Sequence, residues 1–388
     1  MVLIIISAVV TSYCVLLLLF ALFQVALEEP LNLHWLHKIL LFFGVMFITL
    51  GVTGICLRWS QEWPTVPLSL QFLIAMLLVV VSAAIFLCPL KIESPCLIEK
   101  HELPDKPKLI GHRGAPMLAP ENTMMSFNRS IACGVTAFET DVQLSKDRIP
   151  FLMHDHNASF LRRTTNVIEK FPDKDFSHSS NLTWKELQSL NAGEWFLKTD
   201  PFSSVSKLSE EEMETARNQT IPSLLQLLNL AKQHNISVIF DLYSPNQEND
   251  TVDTVNTILS SGIDPSLVLW LPPAERKYVN KTAPDFCLSL LPTYIYIYTY
   301  IYTIAVFVSD RELRSRNVTV NLWVVNERWL FSLLWCAGAS SVTTNSCHLL
   351  KDIDHPDWLM PPLTYKIIWI TLDIVSILIM TGLYIFQW

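Results

Sequence analysis

The sequence predicts an α/β fold, a (β/α)8 barrel (TIM barrel) in the middle of the chain, flanked by transmembrane helices. Three observations lead to this prediction. Short, nearly continuous apolar strands alternate with helical stretches, a pattern typical of a parallel sheet. The polar middle of the chain has the length of one such barrel. Only 16% of all residues are charged, against about 25% in soluble domains, which indicates membrane spans.

Four almost uncharged segments divide the chain. Each approaches or exceeds the roughly 20 residues that a helix needs to cross a bilayer, and they cover residues 1–27, 39–57, 66–89 and 367–388. We therefore expect three transmembrane helices in residues 1–90, a barrel domain in residues 91–362 and a C-terminal transmembrane helix in residues 363–388. The alternatives are a cleaved signal peptide for the first segment and a buried core helix for the second.

The barrel elements follow one another in regular order through the middle domain. Strands are expected at residues 108–111, 136–144, 237–242, 267–271, 286–290, 318–325 and 341–344, with a returning hairpin arm at 150–154. Helices are expected at residues 123–133, 222–234, 250–261, 273–283 and 329–337. A helix is also expected to start in the SEEE segment at residues 209–212.

A low-complexity segment, PTYIYIYTYIYT at residues 292–303, interrupts this order. A barrel uses about 30 residues for each strand–helix unit, but only the 18 residues 291–308 remain for a strand and a helix before a last helix at 309–317. We therefore expect one outer helix to be missing, so that residues 294–307 serve imperfectly as the sixth strand. The barrel would be incomplete there, with reduced stability and weak activity.

Glycosylation sequons indicate which side of the membrane the middle domain faces. Eight Asn-X-Ser/Thr sequons all lie in this domain, at Asn128, Asn157, Asn181, Asn218, Asn235, Asn249, Asn280 and Asn317. Lysines that flank the spans favour the opposite orientation, but large domains are translocated largely regardless of charge. We expect a glycosylated extracellular or luminal domain, with both termini in the cytoplasm.

The composition excludes several classes of function. The net charge of −8 offers no basic surface for nucleic acid. There is no Walker or GxGxxG loop, and the five cysteines of the middle domain show no zinc-type spacing and cannot all pair with each other. The spans lack the paired charges and broken-helix signals of a transporter.

Polar side chains cluster where the predicted strands end, which is where barrel enzymes carry their chemistry. Glu139 and Asp141 are two residues apart on one strand and therefore face the same side. The other polar residues at strand ends are His112, Arg113, His154, Asp241 and Trp323. Three converging carboxylates require a hard divalent cation such as Ca²⁺ or Mg²⁺. Two histidines supply a base and an acid, and an arginine matches phosphate. This set predicts phosphodiester cleavage.

Four segments carry a more specific signal: HRGAPMLAPENTMMSF at 112–127, FETDVQLSKD at 138–147, FLMHD at 151–155 and NLWVVN at 321–326. In this order they resemble the glycerophosphodiester phosphodiesterase family. The segment WLFSLLWCAGASSVTTNSCHLL at 329–350 and the flanking spans resemble its multi-pass, six-span membrane branch. Because this chain shows four spans, it is interpreted as a truncated or variant isoform.

The resemblance implies a role for each residue at the strand ends. His112 and His154 match the acid–base pair, and Arg113 matches the arginine that contacts phosphate. Glu139, Asp141, Asp241 and also His154 match ligands of a divalent metal, Ca or Mg. Glu121 and Trp323 are candidates for substrate binding, although Glu121 could instead orient Arg113 and Trp323 could pack in the barrel. Tyr243 replaces a lysine found in many members, which puts anion stabilisation there in doubt.

The resemblance also implies the class of substrate. Glycerophosphocholine, glycerophosphoinositol, a lysophospholipid and a glycosylphosphatidylinositol anchor are equally compatible with the residues. The two glycines that flank His112 and Arg113, Gly111 and Gly114, are expected to let the backbone approach the substrate. The alternative function is that of a catalytically weak or inactive membrane protein that acts through interactions.

Overall fold

The structure is a computed structural model of the chain. It describes residues 67–87, 89–91, 94–154, 158–174, 177–242, 249–272, 275–288, 320–357 and 359–386. The chain divides into two units, one with residues 98–359 and the other with residues 1–97 and 360–388.

A largely parallel sheet forms the centre of the larger unit. Its strands are β1 (Lys108–His112), β2 (Ala137–Leu144), β3 (Pro150–Leu152), β4 (Ser237–Leu242), β5 (Val268–Trp270), β6 (Cys287–Leu288), β7 (Asn321–Trp323) and β8 (Ser341–Thr344). The order in space is β6-β5-β4-β2-β1-β8-β7, and neighbours along this path are parallel. Only β3, among the described strands, is antiparallel, and it pairs with β2. This order is that of a TIM-barrel-like sheet, as predicted.

Helices occur in both units, and those of the larger unit connect the strands of the sheet. They are α1 (Leu68–Leu87), α2 (Met124–Ala132), α3 (Ser159–Thr164), α4 (Val167–Lys170), α5 (Trp184–Gln188), α6 (Glu194–Thr199), α7 (Glu210–Arg217), α8 (Leu224–His234), α9 (Asp250–Ser261), α10 (Arg276–Thr282), α11 (Arg328–Ala337), α12 (Cys347–Leu350) and α13 (Pro362–Phe386). The predicted strands and helices within the described residues are confirmed, with ends displaced by a few residues.

Local chemistry explains where several helices begin. The Thr123 side chain accepts a hydrogen bond from the Ser126 amide at the start of α2. Ser209 and Glu212 form a reciprocal capping box at α7, so the predicted helix start in the SEEE segment is confirmed. Such caps satisfy amide groups that have no partner within the helix.

The larger unit contains two main hydrophobic cores. The barrel core joins the sheet to its outer helices and includes the fully buried Phe127, Phe138, Leu228 and Trp270. A second core lies mostly in the segment between β3 and α8, which we call the insertion (residues 153–222). The second core is formed by Phe151, Met153, Ala158, Leu161, Val167, Leu182, Leu187, Leu190, Ala192 and Ile221. The insertion is therefore packed around apolar side chains of its own.

Several predictions fall outside the described residues. These are the first two membrane spans, the sixth strand at 294–307 and the last outer helix at 309–317. The third and fourth predicted spans coincide with α1 and α13. When only the residues with described side chains are counted, no helix has both the length and the apolar character needed to cross a membrane.

A disulfide bond joins Cys133, at the end of α2, to Cys347, the first residue of α12. The two cysteines are 214 residues apart in the sequence, so the bond links the beginning of the barrel to its end. The sequence predicted that the five cysteines cannot all pair, and Cys287 is indeed a free, exposed thiol.

Candidate active site

The HRG segment forms a tight turn where β1 ends. Arg113 has a φ of 52° and Gly114 a φ of 87°, both in the left-handed region. A Cβ on Gly114 would lie 2.5 Å from the Ser126 hydroxyl, and one on Gly111 would lie 2.6 Å from the Gly114 carbonyl oxygen. These glycines are required by packing against the turn and against α2. The expected role of letting substrate approach the backbone is therefore not needed to explain them.

His112 is buried at the end of β1, and its two ring nitrogens face different groups. Nδ1 lies 2.6 Å from Oδ1 of Asn345. Because an amide oxygen only accepts hydrogen bonds, Nδ1 carries the proton and Nε2 keeps its lone pair. Burial, followed by the positive charge of Arg113, lowers the pKa of His112 to about 4. His112 is therefore neutral at neutral pH, and its Nε2 can accept a proton.

Arg113 is surrounded by carboxylates. Its Nε lies 3.1 Å from Oδ2 of Asp141, and its Nη1 lies 3.2 Å from Oε1 of Glu121. Its backbone amide also donates to the Glu139 carbonyl oxygen, at 2.8 Å. Burial opposes the charge of this guanidinium, but Asp141, Glu121 and Glu139 outweigh burial and raise its pKa. The contact with Glu121 agrees with the orienting role considered for that residue.

The three candidate metal-binding carboxylates lie on adjacent strands. Asp141 on β2 pairs in register with Asp241 on β4, and Glu139 pairs with His112 on β1. Burial and then the negative charge of Asp141 raise the pKa of Glu139, and Asp241 acts in the same direction. Among the described residues, no group of three or more His, Cys, Asp and Glu side chains is arranged to hold a metal ion.

The remaining predicted site residues surround His112. The Trp323 ring meets the His112 ring edge-on, with centroids 5.6 Å apart. His154 follows β3, and its charge is the smallest of the causes that act on the pKa of His112. The structure thus brings all eight sequence-predicted residues to one rim, formed by the carboxyl ends of β1, β2, β4 and β7 and the residues after β3.

Several further residues lie at this rim that the sequence did not predict. Asn345 immediately follows β8, so the strand-end pattern could have identified it. Asn122, in the PENT segment, has its Nδ2 3.5 Å from Oδ2 of Asp141 and accepts from Thr140. Phe160 and Arg163 come from the insertion: the Phe160 ring lies 4.4 Å from the His154 ring, and Arg163 lies 3.4 Å from Glu121. No local pattern connects the insertion with the strand ends.

A neutral, buried imidazole, an adjacent arginine and converging carboxylates at the strand ends of a TIM-barrel-like sheet define a phosphodiester hydrolase. The sequence profile described as "Glycerophosphoryl diester phosphodiesterase family" matches residues 112–290. A relative in Mus musculus, glycerophosphoinositol inositolphosphodiesterase GDPD2, is 40% identical over 100% of this chain and 79% of its own length. The chain belongs to the glycerophosphodiester phosphodiesterase family and is an enzyme of that class.

Other similar proteins carry related names. Glycerophosphodiester phosphodiesterase domain-containing protein 5 of Gallus gallus is 40% identical over 97% of this chain and 70% of its own length. A solved glycerophosphodiester phosphodiesterase from Agrobacterium tumefaciens is 18% identical, covers 64% of this chain and 100% of its own, and superposes with a TM-score of 0.47. The alignment with the mouse relative has 435 positions, whereas this chain has 388 residues. The mouse protein therefore contains residues that this chain lacks.

Proposed function

We propose that this chain hydrolyses soluble glycerophosphodiesters, with glycerophosphoinositol as the preferred substrate among those considered above. The observation that carries the proposal is the pairing of a neutral, buried His112 with Arg113 at the end of β1. The name of the mouse relative supports the choice of glycerophosphoinositol. The reaction requires that the negative charge of the phosphate is balanced and that a proton is removed from the attacking oxygen. Arg113 can meet the first requirement and His112 the second.

The geometry supports specific roles in the reaction. Arg113 binds the non-bridging oxygens of the phosphate through its forked guanidinium. Nε2 of His112 takes the proton from the attacking glycerol hydroxyl or water as the new bond to phosphorus forms. His154 donates a proton to the oxygen of the departing alcohol as its bond to phosphorus breaks. Asn345 holds His112 in the tautomer that leaves Nε2 available.

A divalent cation, Ca²⁺ or Mg²⁺, is part of the proposal. Glu139, Asp141 and Asp241 offer hard oxygen ligands on adjacent strands, and this donor chemistry fits such an ion. The buried Glu139 and Asp141 also repel each other, which a cation would offset. When bound, the cation would neutralise phosphate charge, while Arg113 and the histidines bind the phosphate and move the protons.

The proposal places the catalytic domain outside the cytoplasm, in a membrane-embedded chain with both termini in the cytoplasm. Apolar side chains project outward from α1 and α13, for example Leu68, Phe72, Leu363 and Leu378. The six described sequon asparagines, Asn128, Asn181, Asn218, Asn235, Asn249 and Asn280, are all exposed. The Cys133–Cys347 disulfide is typical of an oxidising compartment.

Topology can be tested by expressing the chain in animal cells. A glycan-removing amidase should lower its apparent mass, and protease added to the outside of intact cells that carry the chain at their surface should reach residues 98–359. An unchanged mass, together with protection from protease on that side, would reverse the proposed orientation.

Activity can be tested with the purified full-length chain in detergent. We expect hydrolysis of glycerophosphoinositol to exceed that of glycerophosphocholine, a lysophospholipid and a glycosylphosphatidylinositol anchor. Chelation should abolish turnover, and added Mg²⁺ or Ca²⁺ should restore it. Full turnover in excess chelator would contradict the proposed dependence on a divalent cation. No hydrolysis of any substrate would favour the alternative of a catalytically inactive protein that acts through interactions.

A further inference from the structure

Arg163 is a cation beside the active site that has no role in the proposed chemistry. Its Nη2 lies 3.4 Å from Oε1 of Glu121, the same oxygen that lies 3.2 Å from Nη1 of Arg113. A single carboxylate oxygen thus joins Arg163 to the arginine that binds phosphate. Because Glu121 also pairs with Arg113, which has Asp141 as a second partner, Glu121 offsets the charge of Arg163 only in part.

Two aromatic rings hold the Arg163 side chain. Its Cζ lies 4.5 Å from the centroid of the Phe160 ring and 5.1 Å from the Trp195 ring, within the range of cation–π attraction. Trp195 is itself fixed, because its Nε1 donates to the Ala192 carbonyl oxygen at 3.0 Å. Arg163 remains 46% exposed, so its charge is accessible from solvent.

Phe160 places this arginine on the leaving-group side. The Phe160 ring lies 4.4 Å from the His154 ring, and Cζ of Arg113 lies 5.6 Å from the same ring. His154 is the proposed proton donor to the departing alcohol, so we expect that alcohol on the same side of the site as Phe160. Arg163 and the departing alcohol are therefore neighbours of the same aromatic ring.

Phe160 and Trp195 resemble the aromatic pairs that bind quaternary ammonium groups. In this chain, however, the guanidinium of Arg163 already covers both rings. A choline group would have to displace Arg163 and would also meet its positive charge. A neutral polyol such as inositol meets neither obstacle, and its hydroxyl groups can accept hydrogen bonds from the guanidinium.

We propose that Arg163 is a specificity residue, which excludes alcohols carrying a quaternary ammonium from the leaving-group side and admits neutral polyols. The inference rests on the proposed function in that it takes His154 as the group next to the departing alcohol. In this proposal, Arg163 determines which diester is cleaved and does not change the rate of the chemical step at phosphorus.

The test compares Arg163→Gln with Arg162→Gln in the full-length chain. Arg162 is exposed on the same helix, so both variants remove one positive charge from α3. The ratio of kcat/KM for glycerophosphoinositol to that for glycerophosphocholine should fall about fivefold in Arg163→Gln. It should stay unchanged in Arg162→Gln. An unchanged ratio in Arg163→Gln, or an equal shift in both variants, would overturn the inference.

A binding measurement separates this inference from the proposed function. In a His112→Ala background, calorimetry should show glycerophosphocholine binding about fivefold more tightly once Arg163→Gln is added. If wild type hydrolyses neither diester but this binding shift occurs, the proposed function fails and the specificity role stands. If wild type hydrolyses both diesters and Arg163→Gln leaves the ratio of their kcat/KM values unchanged, the proposed function stands and the specificity role fails.

A conservative variant covers the case in which Arg163→Gln does not fold. Arg163→Lys keeps the charge but covers the two rings less completely, because an ammonium lacks the planar guanidinium face. We expect a smaller shift of the kcat/KM ratio in the same direction. A ratio identical to that of wild type in Arg163→Lys would then overturn the inference.

Discussion

The barrel rim and the insertion contribute to the active site in different ways. His112, Glu139 and Asp141 on the rim are 7–8% exposed and lie on paired strands of the sheet. Phe160, Arg163 and Trp195 lie on the six-residue helices α3 and α6, which are packed in the insertion core or beside it. Proton transfer and phosphate binding benefit from buried, rigid groups, whereas contacts to the variable alcohol can come from a separately packed segment. We therefore expect chemistry and selectivity to reside on different parts of this fold.

The largest effect is expected on the rim. His112→Ala removes the proposed base and should lower kcat by at least about 100-fold, measured with glycerophosphoinositol. His234→Ala is the matched control, because His234 is exposed at the end of α8 and away from the rim. Turnover of His112→Ala within a few-fold of the control would show that the rim does not carry the chemistry.

The two cores can be compared by truncating one fully buried leucine in each. Leu161→Ala in the insertion and Leu228→Ala in the barrel core should each lower the free energy of unfolding by about 2–5 kcal/mol. Denaturant titration measures this loss. Only Leu161→Ala should alter the preference between glycerophosphoinositol and glycerophosphocholine, because Leu161 lies on the helix of Phe160 and Arg163. An equal change of substrate preference in both variants would contradict the claim that the insertion, and not the barrel core, sets this preference.

Acid should destabilise the rim through His112. The pKa of His112 is lowered from 6.5 to about 4, so between these values the unfolded chain binds more protons than the folded one. Stability is therefore complete above pH 6.5 and decreases as the pH falls towards 4, by up to about 3 kcal/mol from this group. Denaturation across this range should give a flatter profile for His112→Asn. Parallel profiles for both proteins would contradict the assignment.

A smaller effect is expected at Asn345. Asn345→Ala removes the acceptor for Nδ1 of His112 and should lower kcat about tenfold, since one hydrogen bond orients the base. Asn321→Ala is the control, because Asn321 bonds to Thr343 on the neighbouring strand and lies at the opposite end of β7 from Trp323, which contacts His112. If both variants lose activity equally, Asn345 acts through the sheet and not through the tautomer of His112.

The sequence by itself determined the order of strands and helices and the set of polar residues at the strand ends. Local sequence predicted β4 and α9 with their observed ends, because a nearly continuous apolar run is typical of a buried parallel strand and apolar residues three or four apart are typical of a helix. Caps such as Thr123 and Ser209 act within one helical turn, so they too can be recognised in the sequence. The same holds for Glu139 and Asp141, whose two-residue spacing directs both to one face.

Only the tertiary structure decided what surrounds these residues. Asn345 reaches His112 across 233 residues of sequence, because the sheet brings β8 beside β1. Arg163 reaches Glu121 because the insertion folds its own core back towards the rim. The tertiary structure also shows that packing against the turn and α2 requires glycine at positions 111 and 114. Such contacts depend on which elements pack together, and spacing along the chain carries no information about distances between segments that meet only after folding.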